Sequence, residues 1–336
     1  MRSRRQPAIL RRACSIAPAL LWLAALGLAG CGEGPASQEE ARESTRVRAV
    51  ATTGMVADLV RHVGGDRVEV EALIAPGIDP HLHKPTRSDL GRILAADLVF
   101  ANGVLLEGRM IDSLERASVS GRRVHLVAEE ILERRDLPAD DPLAADPHLW
   151  MDPAVWATGI DVVLEALAAA DPEGAAIYHE NADRHREKIL ALDAYAAEVL
   201  ASVPVEQRVL VTAHDAFGWF GRRYGYEVLA IQGLSTESEA GVRDIERLVA
   251  VLVERGVPAV FVESTVAPRH IEALLAGAAA RGHEVVIGAE LFSDAMGTDG
   301  TYEGTYLGMI DHNATSIARA LGGDAPSRGR LGSLRE

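Results

Sequence analysis

Short β-branched runs alternate with longer stretches of mixed polarity along this chain, and the alternation occurs twice. Residues 47–51, 68–74, 98–101 and 124–127 form a first set of runs, and residues 209–213, 228–231, 259–262 and 285–287 form a second. Runs of this length read as strands, and strands separated by helical stretches pair in parallel. Two such sets in about 290 residues predict an α/β fold of two Rossmann-like lobes, each a mainly parallel sheet flanked by helices.

Between the sets, Asp152-Pro153 and Asp171-Pro172 each place a capping residue before a proline suited to a first helical turn. Two consecutive helices are predicted to begin there. In the second, Tyr178, Ala182, His185, Ile189, Leu192, Ala196 and Val199 recur at steps of four and three, which puts them on one helical face. Neither Gly nor Pro interrupts residues 175–203. One long helix joining two lobes resists hinge bending, because bending breaks backbone hydrogen bonds instead of rotating free dihedrals. The same period also fits a core helix inside one lobe.

The amino-terminal pattern is different. Arg2, Arg4, Arg5, Arg11 and Arg12 precede an uncharged apolar segment, residues 16–29, that ends Leu28-Ala29-Gly30-Cys31. That is the pattern of a lipoprotein signal peptide over residues 1–30, with Cys31 as the lipidated residue. The apolar run is shorter than the ~20 residues a membrane-spanning helix needs. Residues 32–46 mix Gly, Pro, Ser and charge without apolar periodicity, so 31–46 read as a lipidated flexible tether. The remaining divisions are an N-terminal lobe over 47–170, a bridging helix over 171–203, a C-terminal lobe over 204–322 and a flexible tail over 323–336.

Charge and cysteine content narrow the function classes. Loss of residues 1–30 removes five Arg, no acid and Cys14, leaving 29 Lys+Arg against 49 Asp+Glu, a formal charge of −20. So acidic a chain is a poor partner for nucleic acid. Cys31 is then the only cysteine, so neither an intrachain disulfide nor a thiolate metal site is available.

Four of the eleven histidines lie beside turn or strand-end sequence. His81 and His83 sit in a Pro/Gly-rich loop after a predicted strand, His148 follows Asp146-Pro147, and His214 follows the run 209–213. Asp294 lies after the run 285–287. Loops at the carboxyl ends of parallel strands are where α/β folds bind ligands. Imidazoles with a carboxylate suit a borderline divalent ion such as zinc; Cu(I) lacks its sulfur donors here, and Ca²⁺ and Mg²⁺ their oxygen-rich set. His62, His125, His179, His185, His270, His283 and His312 have no comparable setting.

Five ordered segments make the chain recognisable: Pro76-Gly77-Ile78-Asp79-Pro80-His81, Asp146-Pro147-His148-Leu149-Trp150-Met151-Asp152-Pro153, Ala213-His214-Asp215-Ala216-Phe217-Gly218-Trp219-Phe220, Gln232-Gly233-Leu234-Ser235-Thr236-Glu237 with its continuation to Gly241, and Glu290-Leu291-Phe292-Ser293-Asp294-Ala295-Met296-Gly297. From about residue 47 to 321 the chain resembles the manganese/zinc-binding lipoproteins that serve ABC importers as solute-binding subunits. The resemblance implies metal ligands at His81, His148, His214 and Asp294, and two lobes bridged by one rigid helix. It further implies a non-catalytic, monomeric protein that takes one Zn²⁺ or Mn²⁺ per chain. Its partners would be a permease with its ATPase subunit, and a membrane reached through the lipid on the extracytoplasmic face. Just after the first ligand the chain departs from the common pattern with His83 and Lys84. Either His81 or His83 can face a metal from an extended segment, and the motif match favours His81.

The histidine-rich loop common in zinc-dedicated relatives is missing, since residues 84–147 contain only His125. His214 supplies a softer donor than the carboxylate found in other relatives, so the choice between zinc and manganese stays open. Asp79 and Asp215 read either as groups orienting the imidazoles or, for Asp79, as a turn residue. Trp150, Phe217, Trp219 and Phe220 are expected to pack around the site, and Glu263 ranks below Asp294 as a ligand. Two other functions fit parts of this pattern: a metallohydrolase using His81-Leu82-His83, which predicts a single barrel, and a surface adhesin on the same fold. Binding is expected to weaken from about pH 7 to 5, as protons compete for three imidazoles.

Overall fold

The computed structural model describes residues 46–335 apart from Asp136, Ala139 and Glu239. The signal peptide, Cys31 and nearly all of the tether read from the sequence lie outside the described residues. Residues 45–336 form one compact unit. Its first half holds β1 (Val47–Ala51), β2 (Val68–Ala72), β3 (Leu98–Ala101) and β4 (Arg123–Leu126), all parallel in the order β2-β1-β3-β4. Helices α1 (Gly54–Gly64), α2 (Arg87–Ala95), α3 (Ile111–Val119) and α4 (Val127–Arg135) connect and flank them.

The second half holds two parallel pairs, β5 (Val209–Thr212) with β6 (Glu227–Ala230) and β7 (Ala259–Glu263) with β8 (Val286–Leu291). β5 lies alongside β7, so the pairs continue one another. β8 runs beyond the predicted 285–287. Ala289, Glu290 and Leu291 pair with Phe261, Val262 and Glu263 past a bulge, and this tertiary pairing holds a segment with little strand propensity of its own. The extra residues carry β8 to the threshold of Asp294.

Two short elements, α5 (Pro153–Trp156) and α6 (Gly159–Ala170), lead into the long helix α7 (Ala175–Ala201). Asp152 caps α5 as its sequence suggests, accepting from the backbone N–H of Ala154 and Val155 at 3.0 and 3.1 Å. Asp171 does not cap. Its carboxylate is taken by Arg67 at 2.7 Å and by the Tyr178 hydroxyl at 2.7 Å, and Pro172–Gly174 form a 3-10 turn that runs into α7.

At 27 residues, α7 is about 40 Å long. Tyr178, Ala182, His185, Ile189, Leu192, Ala196 and Val199 are all buried on one face, as the four-and-three spacing requires. Polar contacts tie the helix to its surroundings along its length. Asn181 donates to the Val63 carbonyl at 3.0 Å, Asp193 accepts from Arg223 and Tyr224 at 3.0 Å each, and Tyr195 bonds Thr315 at 2.8 Å. The remaining helices are α8 (Gly218–Tyr224), α9 (Val242–Arg255), α10 (Arg269–Ala280) and α11 (Tyr306–Ala320).

Residues 323–335 do not trail free as the polar, Gly-containing sequence suggests. Leu334 is buried, the backbone N–H of Arg330 donates to Asp311, and that of Arg335 donates to Glu303 at 2.9 Å. One apolar anchor and two carboxylates supplied by distant sequence suffice to fix a segment whose own composition favours no structure.

Candidate metal centre

The tripeptide Asp-Pro-His occurs at residues 79–81 and 146–148, and the backbone uses it identically both times. Asp79 Oδ1 accepts from the His81 backbone N–H at 2.8 Å, and Asp146 Oδ1 from that of His148 at 2.9 Å. Each aspartate closes a local turn around its proline, fixing the backbone that presents the imidazole. His81 emerges from the loop beyond β2. His214 follows β5, and Asp294 follows β8. Carboxyl ends of parallel strands thus supply three of the four side chains, and the loop after α4 supplies His148.

These four side chains converge. One ligating atom from each of His81, His148, His214 and Asp294 lies within 4.8 Å of all the others, and every one of these residues is buried. The Nε2 atoms of His81, His148 and His214 stand 3.7, 3.3 and 3.1 Å from the Asp294 carboxylate. Donors around a tetrahedral ion bonded at 2.0–2.2 Å are separated by about 3.3 Å, so this spacing suits a single divalent ion. All three Nε2 atoms and both Asp294 oxygens are buried without a hydrogen-bond partner. Groups left dry in this way are costly unless a ligand satisfies them.

The far nitrogens of two rings are held in turn. His148 Nδ1 faces Asp146 Oδ1 at 2.7 Å, and His214 Nδ1 meets Glu263 Oε2, whose other oxygen accepts from the His214 backbone N–H at 2.9 Å. A carboxylate on Nδ1 keeps the proton there, aims the Nε2 lone pair inward and raises ligand basicity. Glu263, at the end of β7, therefore stands behind His214. Asp79 contacts no ring: its second oxygen accepts from the Thr236 hydroxyl at 2.5 Å. Asp215 likewise has no bond to a ligand imidazole. His83 turns away, with Nε2 3.6 Å from Asp89, whose carboxylate bonds back to Thr86 at the start of α2.

Aromatic groups close the surroundings. Trp150, Phe217, Trp219 and Phe220 are buried. Trp150 Nε1 donates to the Ser293 carbonyl at 2.8 Å, and Trp219 Nε1 to the Asp146 carbonyl at 3.1 Å. Each indole comes from the sequence half opposite to its acceptor, so the two bonds cross between the halves right beside the cluster. At the rim, Arg109 and Glu237 form a further crossing contact at 2.8 Å.

Electrostatics follow from this arrangement. Burial takes the His81 imidazole down to about 4, leaving it neutral with a free lone pair. Burial opposes charge on His148 too, but Asp146 and then Asp294 outweigh it and raise the ring to about 9. For His214 the same opposition is overcome by Glu263 and Asp294, which hold it well above its usual value. Burial alone would raise the Asp294 carboxyl, yet His214 and His148 keep it well below the usual carboxylate range. Without a metal, protons on His148 and His214 balance the nearby carboxylates; a dication must displace them.

The sign of the pH dependence follows. Both groups have raised values, so they stay protonated up to about pH 9 for His148, and metal affinity rises with pH until they lose their protons. Zinc affinity is expected to climb about tenfold per pH unit for each displaced proton between pH 7 and 9, well above the pH 5–7 range that free imidazoles would give. Calorimetry in buffers of different ionisation enthalpy counts the protons released; a profile flat above pH 7 would contradict this charge arrangement.

The family described as zinc-uptake complex component A, periplasmic (ZnuA) matches residues 49–320. The chain belongs to the ZnuA family. Among curated relatives, the manganese-binding lipoprotein MntA of Bacillus subtilis (strain 168) is 40% identical over 303 residues, covering 90% of this chain and 98% of that one. The zinc-binding protein TroA of Treponema pallidum (strain Nichols) is 42% identical over 272 residues, covering 81% and 88%. The solved structure of periplasmic zinc-binding TroA from that organism superposes with a TM-score of 0.78 at 40% identity, over 82% of this chain and 99% of that chain. The ZnuA-family chain thus shares its fold with TroA. These two relatives of a ZnuA-family chain, at similar identity, are one manganese-binding and one zinc-binding by name.

Sequence reading did not name Asp146 as an imidazole partner, and it placed Glu263 near the site only as a candidate ranked below Asp294, without its link to His214. The first was visible as the repeated Asp-Pro-His; the second required knowing that β7 ends beside β5.

The contribution of Glu263 is open to direct measurement. Glu263→Ala is expected to weaken zinc binding about 10- to 100-fold with all four clustered residues intact, by freeing the His214 ring and its tautomer. Competition against a chelating dye reads this directly, and unchanged affinity would remove Glu263 from the site.

Proposed function

We propose that this chain captures one Zn²⁺ or Mn²⁺ in the cleft between its lobes and delivers it to the permease and ATPase subunit of an ABC importer. His81, His148, His214 and Asp294 bind the ion; Asp146 and Glu263 orient the rings. It does so on the extracytoplasmic face, moored by a lipid on Cys31 through the tether 31–46. The observation that carries this reading is the set of buried, unpartnered Nε2 and Oδ atoms converging on one point. Membership in a family of periplasmic zinc-uptake components, and relatives named as metal-binding lipoproteins, support the transport role.

Three neutral imidazoles and one carboxylate leave a net charge of +1 around a dication, and Asp146 and Glu263 behind the rings offset it. Four protein donors close a tetrahedral sphere, whereas hydrolytic zinc keeps a position open for water. The single barrel that a metallohydrolase using His81-Leu82-His83 requires is not what this chain forms, and His83 points to Asp89 instead.

With three nitrogens and one oxygen, zinc is expected to bind more tightly than manganese by more than about tenfold, following the divalent series. Metal analysis of protein purified after growth at matched free concentrations tests occupancy, and titration of His148→Ala tests the site. No bound divalent ion, together with unchanged affinity in His148→Ala, would defeat the reading. Normal growth of a deletion strain in chelated medium would defeat the transport role alone.

A further inference from the structure

A second group of metal-binding side chains lies where α1 meets α7 and shares no residue with the cleft. Asp58 and His62 are one turn apart on α1, and His185 faces them from α7. Asp58 and His185 are almost completely buried, at 4% and 2% exposure, while His62 keeps one edge in solvent. Asp58 Oδ2 lies 3.2 Å from His62 Nδ1 and 3.8 Å from His185 Nε2. The two rings stack with centroids 4.1 Å apart.

Three atoms here are buried without a hydrogen bond: Asp58 Oδ2, which faces His62 Nδ1 only as an ion pair, and both ring nitrogens of His185. The other Asp58 oxygen is occupied, accepting from the Tyr306 backbone N–H at 3.3 Å, and His62 Nδ1 bonds the Asp58 carbonyl at 2.9 Å. A buried imidazole with neither nitrogen satisfied is unusual, because one N–H and one lone pair are both forfeited. Packing alone would favour an apolar residue at this point of the α7 face, where the neighbouring buried positions are Tyr178, Ala182, Ile189 and Leu192.

A cation accounts for the arrangement. Two nitrogens and one oxygen form a borderline donor set, and the separations of 3.2 and 3.8 Å bracket the about 3.3 Å edge of a tetrahedral zinc site. Burial, and then the neighbouring His62, keep His185 neutral by lowering it to about 4, so its lone pair is available. The Asp58 carboxylate beside it raises His62 in spite of burial, so an ion must displace that proton; Lys188 opposes positive charge on both rings. His62 Nδ1 donates to the Asp58 carbonyl and its ring stacks on His185, so to share an ion His62 must give up that bond and tilt out of the stack. The exposed edge of His62 leaves a path by which an ion can enter.

We propose that Asp58, His62 and His185 form a second binding site, for a nitrogen-preferring divalent transition ion such as zinc, that clamps α1 to α7. Through the bond from Asp58 to Tyr306, the clamp extends to the first turn of α11. With three protein donors and a solvent-facing edge, it binds more weakly and exchanges faster than the cleft.

Calorimetric titration of the full chain with Zn²⁺ tests this. Two ions per chain are expected, the weaker one lost in His62→Ala and in His185→Phe while the tighter persists. In His148→Ala, which disables the cleft, the weaker ion is expected to remain. Co²⁺ titration of His148→Ala should show ligand-field bands of a low-symmetry nitrogen/oxygen site that disappear in the His148→Ala, His62→Ala double variant. Should buried His185→Phe fail to fold, His62→Ala on the solvent edge decides alone. A single zinc per wild-type chain would mean that water satisfies the cluster, and a weaker ion indifferent to His62→Ala would mean surface binding; either overturns the proposal.

Discussion

Asp294→Ala is expected to lower zinc affinity by roughly two to nearly four powers of ten, the largest loss of any single change at the cleft. Removing one partner from a buried charged group costs about 3–5 kcal/mol, and 1.36 kcal/mol is tenfold. Asp294 is the only carboxylate among the four converging residues, and both its oxygens lie within 3.7 Å of the imidazole nitrogens. The variant leaves a dication facing three neutral rings. Asp294→Asn separates charge from shape, since it keeps the volume and one oxygen donor; it should retain fold and melting temperature while losing most of the affinity. The ion-free protein changes as well. With Asp294 gone, the raised values of His148 and His214 fall, because Asp294 helps to hold both. Histidine NMR titrations read that shift independently of metal. Nanomolar binding surviving in both variants would place the ion elsewhere.

The second large effect concerns Trp150. Trp150→Ala is expected to destabilise the chain by about 3–5 kcal/mol, in the range found for emptying a buried aromatic site. For a domain of this size the melting temperature then drops by roughly 6–20 °C. Trp150 is fully buried, packs edge-on against His148 with centroids 5.2 Å apart, and holds the Ser293 carbonyl next to Asp294. One residue thus braces a member of the buried cluster from each half. Trp150→Phe keeps most of the bulk and loses only the indole N–H, so its stability loss should be near the about 1–3 kcal/mol of one unsatisfied buried carbonyl. Metal affinity should fall in that variant beyond what its melting curve implies, because Ser293 and Asp294 are adjacent. Thermal unfolding and zinc titration on both variants check the pair; equal melting curves for wild type and Trp150→Ala would contradict the packing described.

Several elements are readable from residue order alone, for identifiable reasons. The strands β1 and β3 are buried along their whole length, or nearly so, and their apolar runs end where the strands end. The face of α7 is legible because one side of a helix meets core over its full length. Asp-Pro-His marks His81 and His148 because the turn chemistry is local to three residues. Where partners come from far away, sequence is silent. The last residues of β8 are strand only because β7 lies beside them, Asp171 is drawn from capping by Arg67, and Leu334 is held by packing that spacing does not announce. Glu263 belongs to the same class: its link to His214 spans 49 positions. His185 sits in the periodic face of α7 and so reads as core, which conceals the unpartnered nitrogens it carries.

The bond from Asp58 to the Tyr306 backbone joins positions 248 apart. Bringing such distant points together costs a flexible chain about 5 kcal/mol of closure entropy, growing only slowly with further length. Contacts of that separation form late, and chains that depend on them fold slowly. A polypeptide made from its amino end therefore completes the sheet of β1 to β4 while α1 still lacks its partner from α11. His81 and His148 wait in the same way for Asp294. On the proposed ligand set, a chain made only as far as His148 would offer two imidazoles and no Asp294 carboxylate, so tight capture of an ion would begin only when nearly the whole chain is present.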